Sequence, residues 1–140
     1  MSAQGEKQSP SYNFLDFYND CKSHHNKVLI ETDAMTDAMN LLHLFEKDQI
    51  LEFLVQHKPE AYRFVNSRKY EKGTENDRSY HPLLDSYSLD LKYYDLYISF
   101  CIQKSEVGWI IKSIHSDNSH KGTGDTISIG SYIRSIKGLI

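Results

Sequence analysis

The chain has 140 residues, 39% of them apolar and 12% aromatic, which suits one domain with one hydrophobic core. A net charge of −3 excludes a protein that coats nucleic acid through bulk positive charge. The charge is uneven, however: residues 1–57 carry 4 Lys against 9 Asp or Glu (−5), and residues 58–140 carry 12 Lys or Arg against 10 Asp or Glu (+2), so a local anion site in the second half stays open.

Residues 1–11 are polar without an apolar signal segment and read as a disordered leader. Over 12–22, Phe14, Leu15, Phe17, Tyr18 and Cys21 recur at three- and four-residue steps, the pattern of a short amphipathic helix. Val28-Leu29-Ile30 suits a connecting strand. Thr32 or Asp33 then offers a side-chain oxygen to the free amides of a first helical turn, followed by a core-facing stripe of Met35, Ala38, Met39, Leu41 and Leu42. Ile50, Leu51, Phe53, Leu54 and Val55 predict the next helix, and Pro59 with Glu60 opens another short one.

Residues 66–81 are almost wholly polar and predict a long loop. After it the texture changes to β-branched and aromatic runs at 83–91, 94–102 and 107–114, spaced as an antiparallel three-strand meander. Residues 116–125 read as a flexible linker, and 126–140 carry enough isoleucine and leucine to dock elsewhere. No apolar stretch approaches the roughly 20 residues that a membrane helix needs. Cys21 and Cys101 lack metal-ligand or redox spacing, which suits buried thiols in a reducing cytoplasm. The expected fold is α+β, with N-terminal helices packed on an antiparallel sheet of about three strands or more.

Four short motifs occur in order: Tyr62-Arg63 after Pro59-Glu60-Ala61, then Asp85-Ser86-Tyr87, Tyr97-Ile98 and Ser113-Ile114-His115. In these the chain resembles the MqsR family of type II toxin–antitoxin ribonucleases, whose fold is RelE-like. The family carries an aromatic-basic pair on a helix, a D-x-Y strand, a strand opening on tyrosine, and a last strand ending in serine, an apolar residue and a base. The likeness covers residues 12–116 and leaves 117–140 as a C-terminal extension. The chain departs from the family at Leu83 (usually Trp), at Leu84 (usually polar), at Ser99 (usually Lys) and in its acidity. The resemblance implies a cytoplasmic toxin that cuts single-stranded mRNA without a metal or other cofactor, and a cognate antitoxin protein that neutralises it.

Cleavage by 2′-hydroxyl attack needs a base, an acid, cationic donors for the phosphorane and a platform for the bases. With the resemblance, His115 takes the acid or base role, since imidazole titrates near neutral pH. Tyr97 positions the phosphate or transfers a proton, and Arg63 is the clamp, its planar fork suited to phosphate oxygens. Arg68, Lys69, Lys72 and Arg78 are candidates for holding the flanking RNA backbone, and Tyr70, Tyr80 and His81 for stacking on unpaired bases. On the residues alone each is equally an ordinary surface or packing side chain. The alternative is a non-catalytic module or inactive toxin homologue that binds a protein through the sheet and C-terminal tail. His24-His25 beside Asp20 has the wrong spacing for one tetrahedral metal site.

Overall fold

The structure is a computed structural model and describes residues 6–92 and 94–117. It is an α+β fold of three helices and a mixed six-stranded sheet. The order is β1 (Glu6–Lys7), α1 (Phe14–Ser23), β2 (Val28–Ile30), α2 (Thr32–Leu42), α3 (Lys47–Gln56), β3 (Tyr62–Lys69), β4 (Leu83–Asp90), β5 (Asp95–Ile102) and β6 (Trp109–Asp117). Across the sheet the strands run β1-β3-β4-β5-β6-β2. The expected meander is β4–β5–β6, antiparallel throughout. The sheet as a whole is not antiparallel, because β2 lies parallel to β6 with Val28 opposite Trp109.

Each helix is set by its ends and its apolar stripe. Asn13 caps α1 by accepting from the Asp16 amide at 3.2 Å, and Phe17, Tyr18 and Cys21 turn inward. Glu46 and Gln49 form a capping box on α3, whose Ile50, Leu51, Phe53 and Leu54 are buried. The cap of α2 differs from the expected Thr32 or Asp33: Glu31 is the cap residue, without a side-chain bond to its own helix. The Thr32 amide is instead met by the Glu75 carboxylate at 2.9 Å, from the loop between β3 and β4. Of the predicted α2 stripe, Ala38 and Leu42 are buried, and Met39 faces outward at 41% exposure.

The core lies between the helices and one sheet face. Phe17 stacks flat on Phe100 with ring centroids 3.8 Å apart, and Trp109 meets both edge-on. Beside them, Asp85 is fully buried and accepts from the amides of Ser11 and Tyr12 at 3.0–3.1 Å, fixing the chain where it enters α1. Part of the expected disordered leader is therefore ordered, since Glu6–Lys7 also pairs with β3.

Two further expectations are corrected. Pro59–Ala61 is only a single 3-10 turn, and the predicted helix after it is the strand β3. Residues 66–69 of the predicted loop belong to that strand, which leaves 70–82 as the connection. The predicted linker and docking tail, apart from the end of β6, fall outside the described residues.

Candidate active site

Alternation along the strands sends Tyr87, Leu89, Leu96, Ile98, Phe100, Ile111 and Ile114 into the core. Their neighbours stand on the other face, and the pairing register aligns them in cross-strand rows. One row is Arg63, Ser88, Tyr97 and His115 on β3 to β6. The next is Asn66, Ser86, Ser99 and Ser113.

Over these rows lies an open groove of about 530 Å³. Its walls carry Arg68, Lys112 and His115, its floor Ser86, Ser99 and Ser113, and none of its lining residues is a carboxylate. The rings of Tyr97 and His115 stack with centroids 5.3 Å apart at 24°. Tyr97 is half-buried and His115 exposed, so a ligand in the groove has access to the imidazole. The Ser86 and Ser99 hydroxyls bond each other at 2.8 Å. Two β-bulges shape the strands on either side of β4 and β5: Val65 is the extra residue of β3, and Lys112 that of β6, where Ser99 pairs Ser113 but Phe100 pairs Ile111. Both bulged residues line the groove.

The loop 70–82 begins beside one end of the groove, where Tyr70 adjoins the lining residues Leu84 and Lys112. Buried Tyr70 packs with Leu84, Cys101 and Ile110. Its hydroxyl donates to Glu31 Oε1 at 2.7 Å, and the other Glu31 oxygen accepts from the Glu75 amide at 2.8 Å. Burial and the neighbouring Glu31 push the Tyr70 hydroxyl pKa well up. The ammonium of Lys112 sits 5.6 Å from the centre of the Tyr70 ring, a cation–π contact. Gly73 turns the loop at φ +74°, where a Cβ would lie 2.2 Å from the Arg78 carbonyl oxygen.

Of the predicted catalytic residues, Tyr97 and His115 come together and Arg63 does not join them. Arg63 shares their row, but it stands two strands from Tyr97, about 10 Å at ordinary strand spacing, with buried Ser88 between. Nor is it on a helix, as the family likeness implied, but on β3. Of the predicted RNA-holding residues only Arg68 lines the groove. Lys69 and Lys72 are exposed outside it, and Arg78 bonds the Gly73 carbonyl at 3.5 Å within the loop. Tyr70 has no free ring face for a base. Tyr80 is pinned by its hydroxyl to the Ile102 carbonyl at 2.7 Å, and His81 Nδ1 lies 3.0 Å from the Tyr70 carbonyl oxygen, so both serve the loop.

Sequence reasoning missed Lys112 and the serine row. Alternation in the meander was the signal that could have found Ser86, Ser99 and Ser113 on one face, but only the bulge aims Lys112 into it, and no sequence signal announces that bulge. The histidine pair of the N-terminal half is split, His24 to Asp20 and His25 to Asp48. Among the described residues no three His, Cys, Asp or Glu side chains group to hold a metal ion, and no helix is long and apolar enough to cross a membrane. Compared with known proteins, the chain matches no family model, no curated protein and no solved structure.

Proposed function

We propose that the chain is the toxin of a type II toxin–antitoxin pair, a metal-independent endoribonuclease of MqsR type with a RelE-like fold. The observation that carries this reading is the Tyr97–His115 pair, stacked in a groove whose lining includes cations and hydroxyls but no carboxylate. A polyanionic strand gains from such a lining, as an acidic peptide or another polyanion would. An aromatic and an imidazole ring in an open groove of about 530 Å³ favour the nucleic acid.

In this mechanism the RNA 2′-oxygen attacks phosphorus while the His115 imidazole takes its proton. The bond to the 5′-oxygen breaks, and the Tyr97 hydroxyl supplies the proton that the leaving oxygen needs. The products are a 2′,3′-cyclic phosphate and a 5′-hydroxyl. A proton then returns from the imidazolium to the phenolate through solvent in the open groove, which restores both groups for the next turnover. Arg68 and Lys112 hold the RNA backbone, and Arg63 approaches from β3 as an outer charge. The toxin acts in the cytoplasm on single-stranded mRNA, and a cognate antitoxin protein neutralises it.

The test is incubation of purified protein with single-stranded RNA in EDTA. The reading requires cyclic-phosphate ends and loss of cutting where a 2′-deoxy nucleotide precedes the cleaved bond. Intact RNA over a wide range of salt and pH would instead make the chain an interaction module.

A further inference from the structure

The cations of the groove do not sit where the proton-transfer pair sits. Lys112 is three residues before His115 in β6, about 10 Å along the strand. Its ammonium lies over the Tyr70 ring, which belongs to the cluster of Leu84, Cys101 and Ile110 at the end of the groove away from His115. Arg68 pairs with Leu84 at that same end, across the groove from Lys112. Between the two ends runs the serine row of Ser86, Ser99 and Ser113.

A phosphate held by Lys112 therefore lies beyond reach of the Tyr97–His115 pair, by roughly the length of one nucleotide. We infer that the groove has two phosphate subsites: the scissile phosphate sits at Tyr97 and His115, and the neighbouring phosphate of the same strand sits at Lys112, with Arg68 on the facing wall three strands away. The serine row spans the sugar that joins them. Small hydroxyls suit that position because they donate and accept without filling the space a ribose needs. In the opposite direction β4 and β5 end with Asp90 opposite Asp95, and the groove lining past His115 is Ser116 and not a cation. The β6 bulge is the device that makes the second subsite, because a regular strand would leave no extra residue between Ile111 and Ser113 to carry the cation.

This inference rests on the ribonuclease reading and sharpens it, since it makes the substrate a strand with a phosphate beyond the cleaved linkage. The experiment compares cleavage of ribodinucleotides carrying hydroxyls at both ends with the same dinucleotides bearing a 5′- or a 3′-terminal phosphate. One of the two added phosphates is expected to lower KM about tenfold or more, the scale of one charge-assisted hydrogen bond, with little change in kcat. In Lys112→Ala that ratio of KM values collapses toward one, and Lys112→Arg restores it. A KM indifferent to both terminal phosphates would overturn the two-subsite arrangement while long single-stranded RNA was still cut, leaving the ribonuclease reading in place. So would a Lys112→Ala protein, confirmed folded by its thermal melt, that kept the full wild-type ratio. If long RNA is not cut either, both the reading and the inference fall together.

Discussion

Replacing Asp85 tests whether the aspartate of the D-x-Y strand is structural. It is fully buried on the helix side of β4 and accepts from two backbone amides, Ser11 through both oxygens and Tyr12 through one. Each hydrogen bond to a charged acceptor contributes about 1.5–3 kcal/mol, and removing the acceptor leaves two amides short of a partner in a place water reaches poorly. Asp85→Ala should therefore cost about 3–5 kcal/mol, a large part of the roughly 5–15 kcal/mol that holds an ordinary domain together. Asp85→Asn keeps one acceptor oxygen but turns an amide nitrogen toward a backbone N–H, so it should fall between. Urea unfolding followed by tyrosine and tryptophan fluorescence reads this directly, as a midpoint lowered by about 2 M at an ordinary dependence on denaturant. A shift under about 0.5 kcal/mol, the range of neutral surface changes, would refute the anchoring of α1 through this carboxylate. An Asp85→Asn protein of unchanged stability but without ribonuclease activity would refute it differently, by making the residue catalytic.

Two other predictions concern the loop and the thiols. Tyr70→Phe removes the donor to buried Glu31 and should cost about 1–3 kcal/mol, with faster proteolytic cutting within 70–82; unchanged stability and cutting would show that the loop is held elsewhere. Burial, helped by Asp20 for Cys21 and by Glu31 for Cys101, pushes both thiols up to about 12 from an ordinary 9.0. Because the unfolded thiols ionise first, stability should fall as pH rises from about 9 toward 12, and a disulfide reagent at pH 8 should label the native protein only as fast as it opens. Immediate labelling of both cysteines would contradict this.

The elements with a clean period were legible in the sequence: α1, α3, β2 and the three meander strands. β3 was not, for two physical reasons. The Val65 bulge breaks its alternation after Tyr62 and Phe64, so the next inward residue is Ser67. That serine is buried through a 2.6 Å bond to the Ser11 hydroxyl rather than through apolar contact, and Arg68 and Lys69 complete a stretch that reads as loop. The cap of α2 was hidden for another reason. Its partner Glu75 lies 43 residues away, a pairing that only the folded loop creates. At the candidate site, the resemblance alone singled out Tyr97 and His115, and the meander register sets them opposite one another. Arg63 lies two strands from Tyr97 because it stands on a strand and not on the helix that the resemblance implied. The hydroxyls of the loop tyrosines pin the loop, which a polar segment does not announce, since an aromatic residue there suits a loop anchor as readily as a base-stacking platform.

The central claim is that Tyr97 and His115 perform proton transfer in RNA cleavage. The most direct measurement is the single-turnover rate on a labelled single-stranded RNA in EDTA, for wild type, His115→Ala and Tyr97→Phe. Loss of a positioned acid or base should slow each variant about 10²–10⁴-fold, with melting temperatures close to wild type because both residues stand on the open face of the sheet. A wild type that cuts RNA while His115→Ala keeps its rate would contradict the account, and so would a wild type that leaves RNA whole.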